Sequence, residues 1–331
     1  MGIDRLTGKD FRGYILINRE GQNIFEKAYG YADLPNEIPN EANTKFATAS
    51  AGKVFVGVAI LQLVEKGRLH LEDTIGNLLD FDLKQIDPAI TVEELLTHTS
   101  GIPDYFDESV MEEYEELWTD FPNYKIRSNK DLLPLFIDKP MMYPRGSKFQ
   151  YNNTGFVVLA LIIEKITGSA FDEYIKQNIF EPCKMSDSGY YELDRLPAKC
   201  AVNYIYDEEH KNYRTNIFSV DAKGTGAGGA FITVNDIRLF WENLLSGKLL
   251  SKDMVSDMLS NHSKAEECYG YGIWLKKHGD GFIPYFQGSD PGVSFLSSYN
   301  LQKELLIVLV SNYGDNVWKL HKTINEYYEN E

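Results

Sequence analysis

The chain has 331 residues, of which 43% are hydrophobic and 13% aromatic, enough for a large core in one big domain or two intimate ones. Its net charge of −16, without a run of lysine or arginine, argues against a nucleic-acid partner and an anionic membrane surface. The longest apolar runs, 54–61 and 156–163, are too short for a membrane span. The first residues lack a signal-peptide pattern, which predicts a cytoplasmic protein, or an extracellular or cell-envelope protein if an export segment was removed.

The first predicted elements are two strands, 11–18 and 23–29, joined by Arg19-Glu20-Gly21 in an antiparallel hairpin. A loop over 33–43 leads to a short strand at 45–47. A helix is then predicted from about Ser50 to Lys66, with Gly67 well placed to end it. Because residues 54–61 are apolar on nearly every face, we expect this helix to be buried.

The middle of the chain is predicted to be mostly helical and the last part to return to strands. Helices are expected at 91–96, 129–137, 154–167, 170–177 and 235–246, and strands at 269–276, 282–286, 293–299 and 304–312. A closing helix is expected at about 315–329. The order predicts an α/β (α+β) fold in which 1–80 and 247–331 form an antiparallel sheet flanked by helices, and 81–246 form an inserted all-helical domain. We expect the site in the cleft between the two parts, with the Ser50 helix as its floor.

The first candidate for chemistry is the pair Ser50 and Lys53, which would share one helix face. A buried amine with a lowered pKa can take the proton of a neighbouring hydroxyl, and a helix N-terminus favours negative charge nearby. Ser-x-x-Lys is expected about once by chance in a chain of this length, so the pattern alone does not predict an enzyme.

Tyr151 and Asn153 form the second candidate. A phenol beside an ammonium can have its pKa lowered and act as a base toward a serine hydroxyl. An amide two residues later can donate a hydrogen bond to a substrate carbonyl. The structural alternative is that Asn153 caps a helix and Tyr151 packs beneath it.

The third candidate is residues 288–292, Gly-Ser-Asp-Pro-Gly, between two strand patterns. Backbone N–H groups of this stretch could complete an oxyanion hole with the N–H of Ser50. Taken alone, the stretch is more typical of a hairpin turn.

Several other features are interpreted as structural. His98 lies between a predicted helix end and a tight bend, which favours a structural hydrogen bond over a catalytic Ser–His pair. Residues 224–229 match G-x-G-x-x-G without its βαβ context, which predicts a backbone that passes close to another segment. The acidic stretch 107–120 is more typical of a solvated helix face than of a device that excludes anionic substrates. The remaining histidines and the three cysteines lack metal-ligand or disulfide spacing, so neither a metal nor another cofactor is predicted.

Four stretches, in this order, resemble the serine β-lactamase and DD-peptidase superfamily, specifically its class C β-lactamase-like branch of penicillin-binding-protein-like esterases, amidases and peptidases. They are 48–53 (TASAGK), 95–102 (LLTHTSGI), 143–155 (YPRG to YNNTG) and 226–229 (GAGG). The resemblance covers nearly the whole chain. It implies a sheet domain, a helical domain and an active site between them.

The resemblance also implies roles for single residues. Ser50 would be the acylated nucleophile, Lys53 its proton partner and Tyr151 the general base. Asn153 would bind a substrate carbonyl, and the N–H groups of Ser50 and Ser289 would form the oxyanion hole. The implied reaction is two-step acyl transfer through an ester on Ser50.

One departure concerns the third motif, where the family usually has Lys or His, a small residue and Gly. Here the corresponding residues are Phe286, Gln287 and Gly288, so the positive charge that helps to hold a substrate carboxylate is missing. We therefore expect poor turnover of penicillins and of peptides ending in D-Ala-D-Ala. An exposed aromatic wall at Phe286 would suit a neutral or apolar ester or amide.

The sequence thus predicts a serine hydrolase of the esterase or amidase type, acting on a small-molecule ester, amide or peptide. The expected substrate-binding residues are Asn153, Phe286, Gln287, Gly288 and Ser289. One alternative is a penicillin-recognising β-lactamase or DD-carboxypeptidase. Another is a non-catalytic binding or sensor module that retains the fold.

Overall fold

The computed structural model describes residues 11–263 and 265–329. Its main sheet has seven antiparallel strands, which come from the first and last parts of the chain as the sequence predicts. In chain order these are β1 (Gly13–Arg19), β2 (Gln22–Tyr29), β9 (Cys268–Tyr269), β10 (Trp274–His278), β11 (Gly281–Asp290), β12 (Val293–Asn300) and β13 (Leu305–Ser311). Their order across the sheet is β2-β1-β13-β12-β11-β10-β9.

Three small two-stranded sheets accompany the main one. They pair β3 (Tyr31–Asp33) with β4 (Ile38–Pro39), β5 (Phe46–Ala47) with β8 (Phe231–Ile232), and β6 (Tyr204–Asp207) with β7 (Asn212–Thr215). The helices are α1 (Lys53–Glu65), α2 (Ile75–Leu78), α3 (Val92–Leu96), α4 (Asn153–Thr167), α5 (Phe171–Ile175), α6 (Val234–Leu245), α7 (Lys252–Met258) and α8 (Val317–Glu329).

The main sheet is covered on both faces, because side chains alternate between faces along each strand. One face packs under α8, where Ile307 and Leu309 of β13 meet Val317 and Ile324. The other face, with Val308 and Val310, belongs to the large core that includes α1, α4 and α6. The predicted mixed fold with an antiparallel sheet flanked by helices is confirmed.

Helix α1 is buried along most of its length, as its apolar pattern predicts. Every residue from Lys53 to Leu63 is buried. The backbone of β9–β10 approaches it so closely that a Cβ on Gly57 would lie 2.6 Å from the carbonyl oxygen of Tyr271. The helix ends at Glu65, just before Gly67, whose φ of +63° lies in the left-handed region.

The middle of the chain is less helical than predicted. The expected helix at 129–137 is a 3₁₀ helix over Asn129–Leu135 with Pro134 inside it, since proline cannot donate the hydrogen bond that a regular α-helix needs. Shorter 3₁₀ turns occupy Tyr114–Trp118 and Asn123–Lys125, and the β6–β7 hairpin also falls in this part. The proposed division at 80 and 247 stays a prediction, and α6 packs against β1 and β13.

The described residues contain no single helix that is long and apolar enough to cross a bilayer. Only the pair Asn153–Thr167 and Phe171–Phe180, bent by 79° at its junction, reaches the required length and composition together.

Candidate active site

A cavity of about 980 Å³ brings most of the predicted site residues together. Its walls come from the turn before α1, the start of α4, the end of β11, the acidic stretch near residue 110 and the segment around residue 221. Of the predicted residues, it is lined by Ser50, Tyr151, Asn153, Gln287, Gly288 and Ser289.

Ser50 lies in a 3₁₀ turn, Ala49–Gly52, that leads directly into α1. The preceding residue, Ala49, has a φ of +47°, a left-handed conformation that is costly for a residue with a Cβ. The carbonyl oxygen of Ala49 accepts hydrogen bonds from the N–H of Gly229 and the hydroxyl of Thr48. These contacts hold a strained turn that presents the half-buried Ser50 at the cavity.

Lys53 lies one turn after Ser50 and is only 2% exposed. Its Nζ donates to Ser50 Oγ at 2.9 Å, to Asn153 Oδ1 at 2.9 Å and to the carbonyl oxygen of Ala227. Burial lowers the pKa of Lys53 from 10.5 to about 8, although nearby carboxylates raise it. The amine is therefore within reach of the Ser50 proton and has a pKa suited to accepting it.

Tyr151 lies above Lys53, with Lys53 Nζ 5.0 Å from the ring centroid. Its ring stacks on Trp274 at a centroid distance of 5.7 Å. Burial raises the pKa of Tyr151 well above 10, and the interaction with the Ser50 hydroxyl only partly opposes this. The expected lowering of the pKa of Tyr151 by Lys53 is therefore wrong, because desolvation of the phenolate outweighs the nearby amine.

Asn153 is the first residue of α4, and the residue that caps this helix is Asn152, whose Oδ1 accepts from the N–H of Gly155 at 2.8 Å. The Asn153 amide faces the cavity, accepts from Lys53 and donates to the carbonyl oxygen of Phe106 at 3.2 Å. Asn152, and not Asn153, therefore caps the helix, and Asn153 links the start of α4 to Lys53.

Asp104, to which the sequence analysis assigns no role, anchors the start of α4. Its buried carboxylate accepts from the N–H groups of Asn153 at 2.8 Å and Thr154 at 3.0 Å, and from the Thr154 hydroxyl at 3.1 Å. Burial raises the pKa of Asp104 to about 6, against these hydrogen bonds. An acid at a helix N-terminus is favourable, and here it positions Asn153.

His98 has the structural role that the sequence favours. It is 1% exposed, does not line the cavity, and its Nδ1 accepts from the N–H of Asn152 at 3.1 Å. Its ring lies 4.6 Å from that of Tyr151. Burial lowers the pKa of His98 well below 6.5, so the ring is neutral and supports the Tyr151–Asn153 segment from behind.

The glycine-rich stretch passes close to the nucleophile, as its lack of a βαβ context predicts. A Cβ on Gly228 would lie 2.3 Å from the carbonyl oxygen of Ala49, and one on Gly226 would lie 2.3 Å from that of Phe156. Glycine lets this backbone touch both the Ser50 turn and α4, and it places the Ala227 carbonyl on Lys53.

The end of β11 borders the Ser50 turn. The pairing of β10 with β11 reaches only Tyr285, and beyond it a Cβ on Gly288 would lie 2.6 Å from the backbone nitrogen of Ser50. The exposed Ser289 follows on the cavity wall. Both residues lie within the strand, since the turn itself is Pro291-Gly292.

Phe286 does not form the predicted aromatic wall. It is 3% exposed and packs in the core, stacked 5.3 Å from Trp241 and 5.9 Å from Phe295. Gln287 lines the cavity and its Oε1 accepts from Trp318 Nε1 at 2.7 Å. The prediction that Phe286 contacts substrate is wrong, because this site is a core position on the sheet.

The sequence analysis did not assign to the site the carboxylates that line the cavity. Six acidic side chains line the cavity: Glu108, Glu112, Glu113, Glu115, Asp221 and Asp290. All four glutamates lie in the acidic stretch, which is largely irregular and borders the cavity instead of forming a regular α-helix, and Glu108, Glu112 and Glu113 are also exposed to solvent. Asp290 lies within the third candidate stretch, 288–292, whereas no sequence signal marks Asp221.

Comparisons with known proteins agree with this geometry. The family model described as Beta-lactamase matches residues 7–322. "Putative penicillin-binding protein PbpX" of Bacillus subtilis is 30% identical over 96% of this chain and 75% of its own length. "Teichoic acid D-alanine hydrolase" of Staphylococcus aureus is 25% identical over 98% of this chain and 76% of its own length. The crystal structure of a penicillin binding protein from Bacillus halodurans is similar with a TM-score of 0.94 and 35% identity, over 98% of this chain and all of that one.

Proposed function

Because the chain belongs to the Beta-lactamase family and is a serine hydrolase of that type, we propose that Ser50 forms an acyl-enzyme with an ester or amide substrate. The observation that carries the proposal is the bond of 2.9 Å between Lys53 Nζ and Ser50 Oγ, made by an amine whose pKa is lowered to about 8. Roughly a tenth of such an amine is neutral at pH 7, against well under a thousandth of an ordinary lysine.

In the first step Ser50 Oγ attacks the carbonyl carbon and its proton passes to Lys53. The N–H groups of Ser50 and Ser289 stabilise the oxyanion, a role supported by the close approach of β11 at Gly288. The leaving group departs with a proton from the phenol of Tyr151, which is replaced from Lys53. Water then attacks the ester on Ser50, the acid is released, and Ser50 regains its proton.

This assignment gives Lys53 the first proton and makes Tyr151 a relay. The high pKa of Tyr151 supports it, since a neutral phenol can donate a proton but is not a base at neutral pH. Asn153 is proposed to donate to a substrate carbonyl beside its contact with Lys53.

The nature of the acyl group is a separate question. A neutral or apolar group was predicted from an exposed Phe286, and the burial of that side chain removes this support. The lack of a cation at Phe286 and Gln287 still speaks against substrates that must be held by a carboxylate.

The test is hydrolysis of short-chain nitrophenyl esters, together with labelling by a fluorophosphonate and peptide mapping of the adduct. We expect labelling at Ser50 and a loss of about 10⁴-fold or more in kcat/KM for Ser50→Ala. Equal activity of Ser50→Ala and wild type would exclude the proposal.

A second candidate function is penicillin acylation, favoured by the similarity to two proteins named as penicillin-binding. It requires an adduct on Ser50 with a fluorescent penicillin. Failure to label at high penicillin concentration, with fluorophosphonate labelling intact, would remove this candidate and leave the esterase or amidase.

A further inference from the structure

The charge of the cavity wall is strongly one-sided. Against its six carboxylates, the residues that line the cavity include a single cation, Arg214. Arg214 is already engaged, since it donates to Glu115 at 2.8 Å and to Ser219 Oγ at 3.0 Å. Lys53 is likewise occupied by Ser50, Asn153 and Ala227.

Asp290 is the carboxylate closest in sequence to the reacting groups. It follows Ser289 and lies on the same face of β11 as Gly288, roughly 7 Å farther along the strand. The side chain is half-buried, and its carboxylate has no hydrogen-bond or salt-bridge partner within 11–263 and 265–329. A partly desolvated carboxylate without a partner is costly, and a cationic ligand would offset that cost.

Asp221 faces the same cavity from another segment. Its two oxygens are each 3.3 Å from the hydroxyl of Tyr114, a neutral partner. Burial, followed by repulsion from Asp290, raises the pKa of Asp221 to about 8, and burial raises that of Asp290 to about 7. The charge of Asp290 therefore acts on Asp221 within the cavity.

A structural role of the kind that Asp104 plays does not account for these two residues. Asp104 is surrounded by backbone and hydroxyl donors, whereas Asp221 and Asp290 direct their charge into the space in front of Ser50.

We propose that Asp221 and Asp290 bind an ammonium group of the substrate, so that the enzyme acts on esters or amides that carry a positive charge near the scissile bond. This inference rests on the proposed function of Ser50. An ammonium group between the two carboxylates would relieve their repulsion and supply the donors that Asp290 lacks, with charge-assisted hydrogen bonds. The same wall would repel substrates with a carboxylate.

The experiment compares two fluorophosphonates of equal length, one ending in a primary ammonium and the other in a methyl group. The second-order rate constant for labelling of Ser50 is measured by intact mass. We expect the wild type to react at least about tenfold faster with the cationic probe, as one charge contact near the reacting bond would give. The double variant Asp221→Asn/Asp290→Asn should lose this preference and still react with the neutral probe.

Asp253→Asn serves as the matched control, because Asp253 is an exposed carboxylate on α7 outside the cavity. It should keep the preference of the wild type. Labelling of the wild type at equal rates by both probes would overturn the inference while leaving Ser50 as the nucleophile. Failure of both probes to label Ser50 would instead overturn the proposed function itself.

Turnover then locates the ammonium group in the substrate. Alanine methyl ester is compared with methyl isobutyrate for a charge in the acyl part, and 3-aminopropyl isobutyrate with butyl isobutyrate for a charge in the alcohol part. We expect one charged member to be preferred in kcat/KM by about tenfold or more and that preference to fall in Asp221→Asn/Asp290→Asn. Two ratios near one would contradict the proposal.

Discussion

The two walls of the cavity differ in how their charged groups are satisfied. On the wall built by α1 and α4, Lys53 has three acceptors and Asp104 four donors. On the wall that carries Asp221 and Asp290, one carboxylate has only a neutral phenol and the other has no bonded partner in the described part of the chain. Charged groups that position the reacting atoms have hydrogen-bond partners in the protein, whereas Asp221 and Asp290 remain available to a ligand.

The largest expected effect comes from removing a charged group from the wall built by α1 and α4. Lys53→Met removes the proton acceptor and keeps most of the side-chain volume, so we expect kcat/KM for a nitrophenyl ester to fall about 10⁴-fold, or roughly 5.5 kcal/mol. Lys276→Met, at an exposed position on β10, is the control and should retain activity. A loss of less than tenfold in Lys53→Met would contradict its role.

The second prediction concerns Phe286, which lies on the same face of β11 as Gly288 and Asp290 but packs in the core. Phe286→Ala removes a core ring packed on Trp241 and Phe295, and we expect the free energy of unfolding to fall by about 3–5 kcal/mol in urea titrations. Phe218→Ala, at a side chain that is 79% exposed, should change it by no more than about 0.5 kcal/mol. An unchanged stability in Phe286→Ala would mean that the ring does not belong to the core.

The third prediction tests the contact between β11 and the nucleophile turn. In Gly288→Ala the new methyl group would meet Thr48 O at 2.3 Å and Ser50 N at 2.6 Å, so the oxyanion donors must move apart. We expect kcat to fall about 10²-fold, as when one oxyanion donor is lost. Gly281→Ala, on the same strand with no atom within 4 Å, is the control and should keep the kcat of the wild type.

The smallest expected effect is a shift in the pH dependence of kcat/KM, because Asp221 and Asp290 on one wall act on Lys53 on the other. Lys53 must be neutral to accept a proton, so kcat/KM for a neutral ester should rise with pH through about 8. The charges of Asp290 and Asp221 raise the pKa of Lys53, so the rise should shift to lower pH in Asp221→Asn/Asp290→Asn. A shift to higher pH, read from the pH–rate profile, would contradict this coupling.

The sequence predicts the wall built by α1 and α4 better than it predicts the wall that carries Asp221 and Asp290, and the reasons are physical. Ser50 and Lys53 are three residues apart in a helical stretch, so their contact follows from local geometry. The apolar periods of β1, β12 and β13 likewise predict one sheet from the two ends of the chain. These features depend on short-range spacing or on strand pattern.

The burial of Phe286 could not be predicted from the motif. Phe286 shares a face of β11 with Gly288 and Asp290, and it is buried because Phe240 and Trp241 of α6, far away in sequence, pack on its ring. The charge cluster is harder still to predict, because Asp221 reaches the cavity that Asp290 lines on an irregular segment with no periodic pattern. The segment around Pro134 forms a 3₁₀ helix because proline lacks the N–H that a regular α-helix needs, and the pattern of apolar residues alone does not show this.

The burial of α1 affects the order in which parts of the protein unfold when it is heated. Every residue from Lys53 to Leu63 is buried, and the apolar side chains among them belong to the core that also contains the sheet, so the backbone beside Ser50 cannot open unless that core opens. Amide hydrogens in the middle of α1 should exchange with solvent only through global unfolding, whereas those of the irregular acidic wall exchange through local opening. The nucleophile should therefore keep its geometry up to the melting temperature, while the irregular acidic stretch loosens first.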